Sequence, residues 1–180
     1  DWDTPNPLGH YARSKYAGEL YVQTNSNRYL ICRAGWMMGA GPKKDKKFIQ
    51  KLMDQIKSGQ KELFVVNDKL GTPTYTHDFA KNVKLLLERE LWGLYNMVCG
   101  GITGRLEVAE ELISILNLKE KVSITPVESD YFKKEYFAER PPSERLLDSK
   151  LNLRQCNIMR DWKVCLEEYI NEYYQNFLDS

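Results

Sequence analysis

Stretches with helical spacing of apolar residues alternate with short apolar runs that are typical of strands. A helix is predicted over 8–24, after a Pro-rich entry, and a buried strand over 28–33. Further helices are predicted over 45–58, 77–89, 105–116 and 161–178, and further strands over 62–66, 94–98 and 122–127. The segments 34–42, 67–76 and 139–151 contain Gly or Pro and are predicted to be irregular. Because helices and strands alternate over the first hundred residues, the pattern predicts an α/β fold with βα units around a parallel sheet.

Composition narrows the class of protein. The 180 residues include 26 basic and 25 acidic side chains, so the net charge is +1. That balance provides no electrostatic footprint for nucleic acid or an anionic membrane, and no apolar run approaches the roughly 20 residues of a membrane helix. The four cysteines form no C-x-x-C pair, which predicts free thiols, no metal site and a cytoplasmic protein.

Tyr11 and Lys15 are the first residues with a chemical implication. They lie four positions apart on the first predicted helix and therefore share a face. An ammonium group beside a phenol favours the phenolate, so such a tyrosine can move a proton near neutral pH. The spacing alone is weak evidence, because a solvated Tyr–Lys pair is possible on any helix.

The surrounding motifs make the pair more specific. The run DTPNPLGHYARSKYAGE (3–19) resembles the Tyr-x-x-x-Lys segment of the extended short-chain dehydrogenase/reductases. Within that superfamily, the chain is most similar to the dTDP-4-dehydrorhamnose reductase branch. The blocks that carry the resemblance downstream are RAGWMMG (33–39), NDKLGTPT (67–74), DFA (78–80), GLYN (93–96), RPPS (140–143) and LDSKL (147–151).

The resemblance implies a fold and a division of the chain. The expected architecture is the C-terminal part of a Rossmann-like, doubly wound parallel sheet with a small mixed substrate-binding subdomain. Residues 1–100 would form the C-terminal half of the Rossmann-like domain, and 101–180 a helix-rich part that binds the sugar nucleotide, interleaved with 36–62. The Gly-rich turn that receives the dinucleotide pyrophosphate is missing, so the chain resembles roughly the last 60% of a reductase of about 300 residues. We therefore expect little cofactor binding or turnover from this chain alone.

The resemblance also implies roles for three residues near the cofactor. Tyr11 would be the general acid that protonates the substrate carbonyl oxygen. Lys15 would favour the phenolate and hydrogen-bond the nicotinamide ribose, and Arg33 is expected beside the cofactor. For Arg33, an internal ion pair at the end of its strand is the alternative.

Three more residues are implied on the substrate side. Trp36 matches the aromatic residue that lines the sugar pocket, and a purely structural role in capping the core is the alternative. Arg140 and Ser143 fall in the block beside the nucleotide-sugar site, where an arginine could pair with a diphosphate.

The implied activity is reduction of a 4-keto-6-deoxy sugar nucleotide, such as a dTDP-sugar, by NADPH or NADH. Mg²⁺ and a homodimer are implied by the resemblance only. The alternatives are another extended family member, either a sugar-nucleotide epimerase or a fucose-type reductase, a fragment that only binds the sugar nucleotide, and a non-catalytic subunit like the regulatory subunit of methionine adenosyltransferase.

Overall fold

Helices and strands alternate along the chain, as the hydrophobic pattern predicts. The structure, a computed structural model, describes residues 1–134 and 141–178. Its elements are α1 (His10–Asn25), β1 (Leu30–Arg33), β2 (Trp36–Met38), α2 (Phe48–Lys57), β3 (Glu62–Val66), β4 (Leu70–Gly71), β5 (Pro73–Tyr75), α3 (Thr76–Glu88), β6 (Gly93–Asn96), α4 (Arg105–Ile115), β7 (Ser123–Val127), a 3-10 turn (Ser129–Phe132), β8 (Ser143–Glu144), α5 (Ser149–Leu153) and α6 (Trp162–Tyr173).

The strands associate in parallel, which confirms the α/β class. β1 pairs with β6, β2 with β5, β3 with β7 and β4 with β8. Parallel neighbours need crossover connections, and the helices supply most of them. Pairs β3–β7 and β4–β8 join segments that are distant in the sequence, so they bring the second half of the chain against the first.

Three segments predicted to be irregular contain regular structure, and that part of the prediction was wrong. The segment 34–42 contains β2, 67–76 contains β4 and β5, and 139–151 contains β8 and the start of α5. Gly35 shows the physical reason, because a Cβ at this position would lie 2.1 Å from the carbonyl oxygen of Thr72. This glycine therefore permits close approach of two backbones, and the Trp36 amide donates to the same oxygen at 3.0 Å.

Two hydrophobic cores hold the elements together. The larger one packs α2, α4 and α6 against the strands around β3 and β5, and the smaller one lies between α3, α5 and β6. The larger core uses residues from both sides of position 100, and the proposed division at that position stays a prediction. All four cysteines are free thiols. Within the described ranges, no helix combines the length and apolar character needed to cross a membrane.

Asp148 is a buried carboxyl group at the start of α5. Its Oδ1 accepts the Val98 amide at 3.1 Å, and its Oδ2 lies 3.4 Å from the Asn157 amide nitrogen. Burial raises the pKa of Asp148 to about 7, although the hydrogen bonds from Val98 and Asn157 oppose the rise.

We expect Asp148→Asn to alter the pH dependence of stability. The folded pKa lies above the roughly 3.9 of an unfolded aspartate, so the protonated carboxyl favours folding below about pH 4 and this contribution is lost as pH rises through 7. Asparagine is neutral throughout this range. The free energy of unfolding of Asp148→Asn, relative to that of the wild type, should therefore rise by about 2–4 kcal/mol between pH 4 and pH 8. Urea unfolding of both proteins at several pH values measures this, and a constant difference would contradict it.

Candidate functional site

Tyr11 and Lys15 lie together on the exposed surface of α1. The Lys15 Nζ is 5.5 Å from the centroid of the Tyr11 ring, and the Tyr11 side chain is 76% exposed. None of the 16 residues of α1 is buried. The helix starts after Gly9, whose extended backbone places its carbonyl to accept the Arg13 amide at 3.0 Å. The pair is thus assembled by the helix alone and is open to solvent on this chain.

Arg33 connects β1 to α1 through Glu19. The Arg33 Nε donates to one oxygen of Glu19 at 2.9 Å, and Nη2 donates to the other at 2.6 Å. Hydrogen bonding to Glu19 raises the pKa of Arg33, and the smaller effect of burial opposes it. The structure therefore places Arg33 in an internal ion pair, which was the alternative to a cofactor contact. Its partner, Glu19, lies on the helix that carries Tyr11 and Lys15.

Trp36 lies in a small cluster formed by β2, β4 and β8. Its indole N–H donates to Glu144 at 2.9 Å, and the Arg105 guanidinium is 5.3 Å from its ring centroid. The indole packs against Gly71 so closely that a Cβ there would lie 2.3 Å from the ring. Glycine at position 71 is thus needed for this orientation of the tryptophan.

Ser143 and Arg140 are the remaining two predicted residues, and the structure describes only the first of them. Ser143 is exposed in β8, where its hydroxyl accepts the Arg145 amide at 3.4 Å, and the pairing of β8 with β4 brings it beside the Trp36 cluster. Arg140 lies outside the described residues. The predicted residues thus form two groups, Tyr11, Lys15 and Arg33 around α1, and Trp36 with Ser143 around β4 and β8. The binding roles of all of them stay predictions.

The structure also contains an exposed aromatic surface on β3 that was not predicted from the sequence. The rings of Phe64 and Tyr131 stack with centroids 5.2 Å apart and an interplanar angle of 18°, and their side chains are 39% and 58% exposed. The Asp68 carboxylate holds the segment that carries Tyr131, because it accepts the amide and hydroxyl of Ser129 at 3.0 and 2.7 Å. Alternation in β3, with Leu63 and Val65 buried, indicates that Phe64 faces outward. The position of Tyr131 had no comparable signal.

One group of side chains has the composition of a metal site. Single ligand atoms of His77, Glu168 and Glu172 lie within 4.8 Å of one another. Other contacts account for this arrangement, because Glu168 accepts a hydrogen bond from Arg160 at 2.5 Å, and both ring nitrogens of His77 lie within 3.3 Å of a tyrosine hydroxyl. The expectation that the chain has no metal site stays a prediction.

The comparisons with known proteins define the class of fold, which is a Rossmann-like α/β fold. Residues 1–175 match the RmlD substrate binding domain. The chain belongs to this family.

Named relatives agree with that assignment. The dTDP-4-dehydrorhamnose reductase of Shigella flexneri is 28% identical over an alignment that covers 96% of this chain and 58% of the relative. The solved structure of the Yersinia enterocolitica dTDP-4-dehydrorhamnose reductase has a TM-score of 0.88 and 32% identity, and covers 96% of this chain and 60% of that protein. The Bacillus anthracis dTDP-4-dehydrorhamnose reductase, solved in complex with NADP, has a TM-score of 0.83 and 30% identity over 95% of this chain and 58% of its own. The chain therefore spans somewhat more than half the length of its relatives.

Proposed function

We propose that this chain provides the proton-transfer pair and most of the sugar-nucleotide pocket of an NADPH-dependent reductase. The substrate would be a 4-keto-6-deoxy sugar nucleotide of the dTDP-4-dehydrorhamnose type. The placement of the Lys15 ammonium over the Tyr11 ring is the observation that carries the proposal. The names of the relatives support the choice of substrate, and the NADP complex of one relative supports the choice of cofactor.

The proposed chemistry is the addition of a hydride and a proton to one carbonyl group. A bound nicotinamide would supply the hydride to the carbonyl carbon of the sugar. The Tyr11 hydroxyl would donate its proton to the carbonyl oxygen, which becomes the new alcohol, and the Lys15 ammonium would stabilise the phenolate left behind. The high exposure of Tyr11 and Lys15 on this chain leaves both groups accessible to ligands.

The substrate would contact two aromatic surfaces. Trp36 presents a flat apolar ring, suited to a deoxysugar, and its orientation is fixed by Glu144 and Gly71. The exposed stack of Phe64 on Tyr131 suits the planar base of the nucleotide. Ser143 and Arg140 would complete the pocket near the diphosphate.

The cofactor fits the residues of this chain only in part. Tyr11 and Lys15 offer a hydroxyl and an ammonium to a ribose, but the sequence contains no G-x-x-G-x-x-G turn for the pyrophosphate. The exposed part of α1 that carries Tyr11 and Lys15 is where we place a separate dinucleotide-binding unit. We therefore propose that the chain alone binds NADPH poorly and does not turn over.

The test is the loss of NADPH absorbance with a saturating dTDP-4-keto-6-deoxy sugar. It compares the complete protein that carries this chain with the 180-residue chain alone. We expect stoichiometric loss of NADPH with the complete protein and none with the chain. Turnover by the chain alone would contradict the division of labour.

A failure of the complete protein would favour one of the alternatives. If it binds both NADPH and the nucleotide sugar without net oxidation, the reductase proposal is wrong and an epimerase or a regulatory subunit takes its place. An epimerase would convert the sugar and retain its cofactor, whereas a regulatory subunit would leave both unchanged.

A further inference from the structure

Glu19 could compete with Tyr11 for the lysine of the proton-transfer pair. Tyr11, Lys15 and Glu19 follow one another at intervals of four residues on α1, so all three share one face. Lys15 is therefore as near in sequence to the carboxylate of Glu19 as it is to the Tyr11 ring. A free carboxylate four residues from a lysine on a helix attracts its ammonium group.

Arg33 engages that carboxylate from the neighbouring strand. Its guanidinium occupies both oxygens of Glu19, at 2.9 and 2.6 Å. The Arg33 and Glu19 side chains are only 22% and 17% exposed, so water screens this pair less than it would screen one on the open surface. The planar fork of an arginine satisfies both oxygens at once, which a lysine cannot do.

We propose that Arg33 is a positioning residue, which occupies Glu19 and so leaves Lys15 free for Tyr11. This inference rests on the proposed function, because it concerns the same proton-transfer pair. Arg33 acts through Glu19 and Lys15 and needs no contact with the cofactor or the substrate. Without Arg33, Glu19 would remain as a largely buried, uncompensated carboxylate, and Lys15 would turn toward it.

Arg33 and Glu19 could also act as a simple clamp that holds β1 against α1. The two roles predict different effects when each residue is substituted. A clamp is broken equally by removing either residue. Under the proposal, Arg33→Gln releases a competing carboxylate, whereas Glu19→Gln removes it. The two substitutions should therefore have unequal effects, and Glu19→Gln should rescue Arg33→Gln.

The first measurement uses this chain and needs no activity. Crystal structures of the wild type, Arg33→Gln and the Arg33→Gln/Glu19→Gln double variant would locate the Lys15 Nζ. We expect it within about 4 Å of the Glu19 carboxylate in Arg33→Gln, and over the Tyr11 ring in the other two. A Lys15 that keeps its place over Tyr11 in Arg33→Gln would overturn the inference.

The second measurement is turnover of the same variants in the complete protein. We expect Arg33→Gln to lower kcat about 2-fold, and the double variant to recover most of that loss. Equal losses for Arg33→Gln and Glu19→Gln, without rescue in the double variant, would assign Arg33 to a clamp instead. A loss for Arg33→Gln that the double variant does not recover, with little loss for Glu19→Gln alone, would assign Arg33 to a direct cofactor contact. If the wild-type complete protein does not oxidise NADPH, the proposed function fails, but the crystal structures still decide where Lys15 lies.

Discussion

Replacing Tyr11 by phenylalanine in the complete protein should lower turnover by roughly 10²–10⁴-fold, the usual effect of removing a positioned acid. The change removes one hydroxyl group from a side chain that is 76% exposed on this chain, so the fold should not suffer. Binding of the nucleotide sugar should change little, because the ring remains. Steady-state kcat and equilibrium binding of the sugar nucleotide, measured on the same preparation, test both statements.

The same helix offers a matched control for this substitution. Tyr21 is also exposed, at 70%, and loses the same hydroxyl in Tyr21→Phe. It lies ten residues beyond Tyr11 on α1, about 15 Å along the helix axis, and so well away from the Tyr11–Lys15 pair. We expect Tyr21→Phe to turn over like the wild type. Near-normal turnover of Tyr11→Phe would show that Tyr11 is not the acid.

The long elements could be predicted from the sequence because each depends on local spacing. The prediction of β3 over 62–66 matches the structure, and α4 was predicted to within one residue. The short strands β2, β4, β5 and β8 could not be predicted, because each consists of two or three residues and exists through pairing with a distant segment. Gly35 and Gly71 indicated loops in the sequence, yet they permit the close contacts that those pairings require.

The candidate site was predictable to a similar degree. Tyr11 and Lys15 could be paired from the sequence, because a helix fixes the relation between positions four apart. The contact of Trp36 with Glu144 joins residues 108 positions apart, and no local spacing encodes it. The partner of Arg33 was equally hidden, although an internal ion pair was among the expectations.

The structural role of Asp78 could not be predicted from its local sequence. The sequence places it in the DFA block, at the second position of the helix predicted over 77–89, and it does lie in the first turn of α3. In the structure it is 2% exposed and forms a two-pronged ion pair with Arg160, at 2.9 and 2.8 Å. The Arg160 backbone amide also donates to it at 3.2 Å. This ion pair joins α3 to the segment that leads into α6.

The charge state of Asp78 depends on Arg160. Burial by itself would raise the pKa of Asp78, but hydrogen bonds from the Arg160 side chain and backbone and from Cys165 lower it overall. A carboxyl group with a lowered folded pKa contributes stability above the roughly 3.9 of an unfolded aspartate, and this contribution is lost as pH falls through the folded pKa. The carboxylate is therefore charged, buried and compensated at neutral pH.

Removing the arginine should produce the largest loss of stability among these substitutions. Arg160→Met leaves the Asp78 carboxylate buried without its partner, and breaking a buried ion pair in this way usually lowers the free energy of unfolding by about 3–5 kcal/mol. Because the Arg160 side chain is 37% exposed, we expect a loss of about 2–4 kcal/mol here. The loss should shrink toward pH 4, because Asp78 can then take up a proton in the variant. Arg160→Lys keeps the charge without the fork and should lose about 1–2 kcal/mol.

A surface ion pair of the same chemistry separates this effect from a general dependence on arginine. Arg28 pairs with Glu90, and their side chains are 64% and 69% exposed, so Arg28→Met should lose less than about 1 kcal/mol. Urea unfolding of the three variants at neutral and acidic pH measures the differences. A methionine of similar length retains the packing of the Arg160 stem. Arg160→Met also removes the ion pair with Glu168, but that side chain is 38% exposed, so most of the loss can be attributed to the buried carboxylate of Asp78. Equal losses for Arg160→Met and Arg28→Met would mean that the buried pair adds nothing beyond an exposed one.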